Sequence, residues 1–408
     1  MTDNNENKVL NVPHLRFPEF SGEWEIYPLT DFMSFKNGMN PDAKRFGRGT
    51  KFISVMDILN NQFICYDNIR ASVEVVDGDI ETYGVNYGDI LFQRSSETLE
   101  DVGQANVYLD SKPAVFGGFV IRGKSKSNYY PMFFRYLLAS PTARKKIIVK
   151  GAGAQHFNIG QDGLSKVCLN IPSIQEQEKI AKLFECIDTR IATQNKIIEK
   201  YESLIQAIIY KEKMDGISKG TWQRIALCKV LQERNEKNVN GRTICSVSVS
   251  QGVVNQVEYL GRSFAAKQTS HYNIVKYGDI VYTKSPTGNF PYGIIKRSNI
   301  REDVAVSPLY GVYIPASDSI GVFLHFYFMQ PSNAFNYLHP LIQKGAKNTI
   351  NITNGRFLEN SVLLPISKSE ANTIAGILKT IQAKIEIEKN LLQSYTKEKE
   401  YLLRQMFI

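Results

Sequence analysis

The stretch GFVIRGKS, Gly118 to Ser125, carries the letter pattern of a phosphate-binding loop, G-x-x-x-x-G-K-[ST]. In such a loop the residues between the glycines arch around phosphates, and a helix begins at the lysine so that its N-terminus faces the anion. Here the intervening FVI favours a strand, and polar residues follow Lys124 as far as Pro131. A P-loop NTPase that uses Gly118–Ser125 is therefore kept only as an alternative function.

Other residues of types that act in catalysis or metal binding lack the spacing that these roles require. Asn289 to Tyr292, NFPY, is similar to the N-P-P-Y motif of amino-methyltransferases, but Phe290 stands at a proline position and no glycine-rich cofactor fingerprint accompanies it. The five histidines lack metal-ligand spacing, and the five cysteines include no C-x-x-C pair. The sequence predicts no catalytic constellation, no metal site, no disulfide framework and no cofactor in this chain.

A stronger signal is repetition. The residues YGDI stand at Tyr87–Ile90 and again at Tyr277–Ile280, an offset of 277 − 87 = 190. A cation follows each copy, Arg94 or Lys284, and the only two tryptophans of the chain open the two halves. We interpret the chain as a tandem duplication of about 195 residues, in which each half must position equivalent functional side chains.

Length and composition set the class of protein. A chain of 408 residues suits two domains, and 43% hydrophobic with 22% charged residues is typical of a globular protein. No apolar run is long enough to span a bilayer, and the polar start MTDNNENK does not resemble a secretion signal. We expect a cytoplasmic protein without membrane contact. The net charge of +9 moderately favours a polyanionic partner.

Each half consists of a mixed region and a helical one. Short β-rich runs such as FISV, ILFQ and IVYT alternate with turns, and one internal helix is predicted in each half, after Pro131 and before Pro331. The predicted division is a tail at 1–22, a mixed domain at 23–172, a helix at 173–216, a second mixed domain at 217–365 and a helix at 366–408.

Both helical segments carry an apolar seam with steps of three and four residues, which is the pattern of a coiled coil. We therefore expect the two helices to pack against each other. Aligned at an offset of 194, the seams are interrupted at equivalent positions, Gln194 and Glu388. A buried polar residue in such a seam can specify register, and we assign that role to this pair. The alternative is that the helices diverge there and water reaches both side chains.

Taken together these features resemble the specificity subunit of type I restriction-modification enzymes. The opening VPHLRFPEFSGEWE is similar to the usual N-terminus of that family, and IPSIQEQEKIAKLF and LPISKSEANTIAGIL are similar to its two conserved spacer regions. The resemblance covers nearly all of the chain. It implies a mixed α/β fold with two β-rich target recognition domains, each followed by a long helix, and the two helices packed as an antiparallel coiled coil in a pseudo-twofold tandem repeat.

The same resemblance implies the function and the partners. Each recognition domain would read one half of a bipartite site in double-stranded DNA, and the helices would set the spacing, so that YGDI occurs twice because there are two half-sites. The helices would dock two modification subunits that bring S-adenosylmethionine and methylate adenine. Restriction and translocase subunits would bring ATP and Mg²⁺. The chain itself would be non-catalytic.

Residues that would contact DNA are sought among cations and amides on predicted loops, because Arg and Lys suit guanine and phosphate while Asn and Gln suit adenine. The candidates are Arg45, Arg48, Lys51, Arg94, Gln155, His156 and Asn158 in the first domain, and Lys284, Asn289, Lys347, Asn348 and Asn351 in the second. For each one singly, a solvated loop side chain is the competing interpretation. A coiled-coil scaffold without DNA recognition is the second alternative function, but neither alternative explains why the mixed domain is duplicated.

Overall fold

The computed structural model describes residues 10–153, 156–263, 265–344 and 350–408. It divides into two compact units. The first comprises the chain up to Gln194 together with Leu391–Ile408, and the second comprises Asn195–Asn390. Both long helices therefore contribute one part to each unit.

The first unit contains eleven short strands and five short helices among its described residues. The strands are β1 (Glu25–Pro28), β2 (Met33–Asn37), β3 (Phe46–Ile53), β4 (Ala71–Val73), β5 (Ile90–Gln93), β6 (Ser95–Ser96), β7 (Ala105–Val107), β8 (Val115–Phe116), β9 (Val120–Ser125), β10 (Phe157–Asn158) and β11 (Cys168–Ile171). The helices are α1 (Val55–Asn60), α2 (Asp79–Tyr83), α3 (Pro131–Ala139), α4 (Pro141–Ile148) and α5 (Gln161–Ser165). The first long helix, α6 (Ile174–Lys219), then begins.

The second unit has a similar sequence of short strands and short helices. Its strands are β12 (Trp222–Ala226), β13 (Leu231–Glu233), β14 (Cys245–Ser248), β15 (Gly252–Asn255), β16 (Asn273–Val275), β17 (Ile280–Tyr282), β18 (Ile295–Arg297), β19 (Val304–Val306), β20 (Gly311–Pro315), β21 (Gln343–Lys344), β22 (Ile350–Asn351) and β23 (Ser361–Pro365). Its helices are α7 (Gln256–Leu260), α8 (Asp318–Phe328), α9 (Pro331–Leu338) and α10 (Asn354–Phe357), followed by the second long helix, α11 (Lys368–Gln405). The strand predictions ILFQ and IVYT and both internal helices are confirmed.

The central sheets of the two units have the same order. The first unit has an antiparallel sheet β2-β9-β5-β7, and the second has β13-β20-β17-β18. In chain order these are equivalent strands, and the residue pairs Ile90↔Gly123 and Ile280↔Tyr313 occupy the same register. An antiparallel ribbon closes each unit, β1 with β11 and β12 with β23. The shared topology confirms the tandem repeat.

The first unit has a second sheet, β4-β3-β8, in which β3 pairs antiparallel with β4 and parallel with β8. A short ribbon of β6 with β10 joins the chain just after β5 to the chain just before α5. Both features carry predicted DNA-binding residues, since Arg48 and Lys51 lie on β3 and Asn158 lies on β10.

Within each unit the two long helices pack against each other. In the first unit Lys399 forms an ion pair with Asp188, and the guanidinium of Arg190 lies over the ring of Tyr395, 5.9 Å from its centre. As the residue number increases along α6, the number of the contacting residue in α11 decreases, so the helices are antiparallel. In the second unit Lys389 Nζ lies 3.2 Å from Glu202 Oε1. The predicted coiled-coil packing is confirmed.

The polar interruptions of the seam have different surroundings. Gln194 is 5% exposed, so water does not reach most of its side chain, whereas Glu388 is half-buried. The proposed role of this pair in register stays a prediction.

Each tryptophan joins a mixed domain to the beginning of a long helix. Trp24 packs edge-on against Phe133 of α3, with ring centres 6.2 Å apart, and Trp222 packs in the same way against Phe323 of α8 at 5.4 Å. Both indoles are buried. In the first unit the beginning of α6, the β1–β11 ribbon and the central sheet share one hydrophobic cluster that includes Trp24.

Candidate nucleic-acid interface

The two YGDI motifs form the same turn in both units. Gly88 and Gly278 have φ of 88° and 93°, a left-handed conformation that glycine adopts without strain. Asp89 and Asp279 are each 2% exposed. The Asp89 carboxylate accepts hydrogen bonds from the backbone N–H of Asn86 (3.0 Å) and of Ser125 (2.8 Å). Burial nonetheless raises the pKa of Asp89, so this carboxylate belongs to the interior and not to a binding surface.

Asp279 keeps the first of these backbone contacts, and an arginine replaces the second. It accepts a hydrogen bond from the backbone N–H of Lys276 at 2.8 Å, and the Arg234 guanidinium reaches both of its oxygens, at 2.7 and 2.9 Å. These contacts hold the turn that leads into β17. The Gly, Asp and Ile of YGDI are thus used by the fold.

Three of the predicted DNA-binding residues lie close to the segment that follows the first YGDI. Arg94 Nη1 donates to the backbone oxygen of Gly118 at 3.2 Å, and the backbone oxygen of Arg94 accepts from Ile159 N at 2.9 Å. Next to it the Ser95 hydroxyl donates to the Asn158 side chain across the β6–β10 ribbon. His156 and Asn158 are exposed and Arg94 is half-buried. The structure therefore brings Arg94, His156 and Asn158 to one edge of the first unit.

Arg45, Arg48 and Lys51 are already engaged by protein groups. Arg45 forms an ion pair with Asp79, and the backbone N–H of Val76 with this guanidinium lowers the pKa of Asp79. Arg48 lies 2.7 Å from Glu74 Oε2 on an exposed surface, where such pairs contribute little. Lys51 Nζ donates to the backbone oxygen of Ile69 at 2.7 Å. Of the three, Arg48 is the side chain that can exchange its partner for a phosphate at the smallest cost.

An apolar cavity of about 410 Å³ is lined by residues of β3 and by residues next to Arg94. Its lining includes Phe46 and Phe52 of β3, Ser95 of β6, and Phe119. Phe119 is 69% exposed and stands in the turn between β8 and β9, where its backbone oxygen accepts from Arg94 N at 2.9 Å. An exposed aromatic ring beside a cation and polar side chains can contact a thymine methyl group or a base step.

In the second unit Lys284 and Asn289 lie on one hairpin loop after β17. Lys284 has a φ of 62°, an uncommon conformation for a residue with a side chain, and burial lowers the pKa of its ammonium group. Asn289 is exposed in a two-residue turn between Thr287 and Phe290, whose backbone groups exchange hydrogen bonds of 3.0 and 2.9 Å. Asn351 is exposed on β22. Gln155, Lys347 and Asn348 lie outside the described residues.

Sequence reasoning missed an exposed apolar residue in the turn before the second strand of each central sheet, β9 and β20. Leu309, in the turn before β20, is 72% exposed and corresponds to Phe119 at the YGDI offset, 309 − 119 = 190. The two residues differ in type and sit within dissimilar stretches, GGFV and PLYG. Their common offset was the signal that could have found them.

The P-loop alternative is contradicted by the backbone. Val120–Ser125 is strand β9, paired with β2 on one side and β5 on the other. No helix begins at Lys124, because the next one, α3, begins at Pro131. The residues between the glycines are therefore committed to a sheet and cannot arch around phosphates.

Across the described ranges, no three His, Cys, Asp or Glu side chains lie close enough together to hold a metal ion. No helix within those ranges is long and apolar enough to cross a membrane.

Comparison with known proteins agrees with this architecture. Residues 21–203 match the family model of the type I restriction modification DNA specificity domain. This match covers the first mixed domain and the beginning of α6, so the first half of the chain is similar to that specificity domain. Curated relatives include the putative type I restriction enzyme MjaX specificity subunit of Methanocaldococcus jannaschii, 27% identical over 52% of this chain and 50% of the relative. The EcoKI specificity subunit of Escherichia coli is 23% identical over 48% of this chain and 44% of its own length.

The first of these matches thus spans about half of the relative and the second somewhat less. A further relative, the MjaVIII specificity subunit of M. jannaschii, is 21% identical over 98% of this chain and 94% of its own length. Among solved structures, the type I restriction-modification S subunit from M. genitalium has a TM-score of 0.60 at 14% identity, and the match covers 97% of this chain and 99% of that one. The whole chain therefore shares the specificity-subunit fold.

Proposed function

We propose that this chain is the DNA-reading subunit of a type I restriction-modification complex, in which each unit reads one half of a bipartite site. The observation that carries the proposal is the repeated sheet order, β2-β9-β5-β7 and β13-β20-β17-β18. A cation follows each copy of YGDI, and an exposed apolar residue stands in the turn before β9 and in the turn before β20. One chain thereby contains two recognition domains that share a fold but differ in their surface residues, which suits two different half-sites.

Direct readout would come from the exposed polar side chains at the loop edges. Asn289 can form paired hydrogen bonds to adenine, and Asn158 can do so if it exchanges its contacts with Ser95 and the His156 backbone oxygen. Arg94 and Lys284 can bind guanine or phosphate. Phe119 and Leu309 would add apolar contacts. The net charge of +9 supports binding to the phosphate backbone with a strong salt dependence.

In this proposal the chain carries no catalytic chemistry. Two modification subunits would supply S-adenosylmethionine and methylate adenine, and restriction subunits would supply ATP-dependent translocation with Mg²⁺. The long antiparallel helices would set the distance between the readers and dock these partners in the cytoplasm.

The test is to co-express the chain with its cognate modification subunit in a host that lacks adenine methylation, and then to map methylated adenines across the genome. We expect one split motif, two short defined blocks separated by a constant number of unspecified bases. A stable complex that methylates no such motif would refute DNA readout by this chain.

A further inference from the structure

The tyrosine of YGDI remains exposed in both units although the rest of the motif is built into the fold. Tyr87 is 63% exposed and Tyr277 is 53% exposed. The glycine that follows each one adopts a left-handed conformation, the aspartate is buried, and the isoleucine begins a central strand. Folding therefore accounts for three residues of the motif and leaves more than half of each tyrosine side chain exposed.

The turn does not require an aromatic residue at this position. The backbone N–H of Asp89 donates to the oxygen of Asn86 at 3.0 Å, and that of Asp279 donates to the oxygen of Lys276 at 3.1 Å, so each tyrosine is the second residue of a four-residue turn with glycine third. The second position of such a turn tolerates most side chains. Within the described parts of the chain, neither tyrosine hydroxyl has a hydrogen-bond partner.

Tyr277 lies beside the long helix that follows its own domain, and the turn that carries Tyr87 contacts the segment that precedes α3. The backbone oxygen of Gly88, next to Tyr87, accepts a hydrogen bond from the Tyr129 hydroxyl at 2.7 Å, and the backbone N–H of the following residue, Tyr130, donates to Gln177 of α6 at 3.0 Å. Burial, with the carboxylates of α6 and the Tyr87 hydroxyl nearby, raises the pKa of Tyr130. In the second unit Tyr277 and α11 residues Lys379 and Gln382 line one cavity of about 290 Å³.

Comparison of the two copies distinguishes exposed residues that differ between them from exposed residues that are identical in both. The loops that would read DNA differ between the copies, as RSSET and KSPTG show directly after the equivalent strands. Two different half-sites require such differences. An exposed side chain that is identical in both copies instead suits a partner that is itself identical in both places.

We propose that Tyr87 and Tyr277 are equivalent anchors for two copies of one protein partner, the methyltransferase subunit. This inference rests on the proposed function. An exposed tyrosine offers a large rigid ring and a free hydroxyl at small entropic cost, and aromatic residues are enriched among those that dominate binding energy.

The second unit indicates what the partner must supply. The Arg297 guanidinium lies 4.6 Å from the centre of the Tyr277 ring and also forms an ion pair with Asp318. One face of the ring is thereby occupied, and residues of α11 form one wall of the cavity beside it. The matching partner group is an apolar side chain that enters this cavity, with a polar atom that can pair with the tyrosine hydroxyl.

The test uses the full chain, purified with the modification subunit and analysed by native mass spectrometry and by titration of that subunit. The wild-type chain is expected to hold two copies. Tyr87→Ala and Tyr277→Ala are each expected to weaken one of the two binding events by about tenfold or more, and the double variant to weaken both. Tyr87→Phe and Tyr277→Phe, which keep the ring, are expected to lose less. Tyr259→Ala, which removes an exposed tyrosine of the second unit that does not recur, is the matched control.

The possible outcomes distinguish a failure of the anchor hypothesis from a failure of the proposed function on which it rests. If the wild-type complex forms and methylates a split motif while both alanine variants bind two copies with unchanged affinity, the anchor role is wrong and the proposed function stands. If the alanine variants lose melting temperature in proportion to affinity, the tyrosines are structural and the anchor role is again wrong. A wild-type chain that binds no modification subunit at all overturns the proposed function and the anchor role together.

Discussion

The indole Nε1 of Trp222 donates a hydrogen bond to Glu370 Oε1 at 2.7 Å, and the same bond joins Trp24 to Glu176 at 3.3 Å in the first unit. Each glutamate is the third residue of its long helix, and the offset between them is 370 − 176 = 194. Each mixed domain is therefore tied to the first turn of the helix that follows it.

Glu370→Ala should leave the indole N–H of Trp222 buried without an acceptor. We expect the free energy of unfolding to fall by about 1–3 kcal/mol, measured by urea denaturation followed through tryptophan fluorescence. Glu370→Gln retains an acceptor oxygen and is expected to lose less than half as much. Equal losses in the two variants would mean that the charge, and not the hydrogen bond, stabilises the junction.

Gly216 within α6 is explained by the ring of Trp222. A Cβ atom at position 216 would lie 1.9 Å from Trp222 Cδ1. Gly216→Ala is therefore expected to destabilise the protein by about 1–3 kcal/mol, although alanine is the better helix former by about 1 kcal/mol. The matched control is Gly376→Ala in α11, where no atom lies within 4 Å of the new Cβ. That variant should be stabilised by up to about 1 kcal/mol, and a stabilised Gly216→Ala would show that the indole is not held against the helix.

His325 should make stability depend on pH below neutrality. Its Nδ1 accepts a hydrogen bond from Arg297 N at 3.1 Å, and burial, with Lys296 and Arg297 nearby, lowers the pKa of His325 to about 3. As the pH falls below the unfolded pKa of about 6.5, the unfolded chain binds a proton that the folded chain does not. The free energy of unfolding should then fall by up to about 1.4 kcal/mol per pH unit until the folded pKa is reached.

The measurement compares the wild-type chain with His325→Gln between pH 7.5 and pH 5, above the range in which most carboxylates titrate. The variant is expected to be less stable at pH 7.5 and to lose less stability on acidification. Parallel pH curves for the two proteins would show that His325 titrates normally in the folded state.

Phe119 and Leu309 provide a test of separate half-site reading. Phe119→Ala should lower discrimination against single-base changes in one half-site, and Leu309→Ala in the other, by about 1–3 kcal/mol at the contacted base pair. Methylation rates on duplexes with single changes in either half measure this effect, and each variant serves as the control for the other. Loss of discrimination in both halves from one variant would mean that the residue acts on assembly and not on a base contact.

Much of the architecture follows from local sequence. Ser173-Ile-Gln-Glu176 and Ser367-Lys-Ser-Glu370 both carry the S-x-x-E signature of a helix start, and in each case the serine Oγ accepts from the glutamate N–H at 3.4 Å. Apolar steps of three and four then predict a long amphipathic helix. The repeat is visible because YGDI combines a glycine that must adopt positive φ with an aspartate that must be buried.

Tertiary structure decided which side chains those elements leave accessible. Arg45 and Arg48 look equivalent as loop cations in KRFGRGTK, yet Arg45 is committed to Asp79, 34 residues away, whereas Arg48 stays largely exposed. Phe119 looks like one more strand residue until the β8–β9 turn places it outside the sheet. Local patterns set turns and helix starts because those depend on neighbouring residues. Partners that are distant along the chain determine charge pairing and exposure, and only the folded chain brings them together.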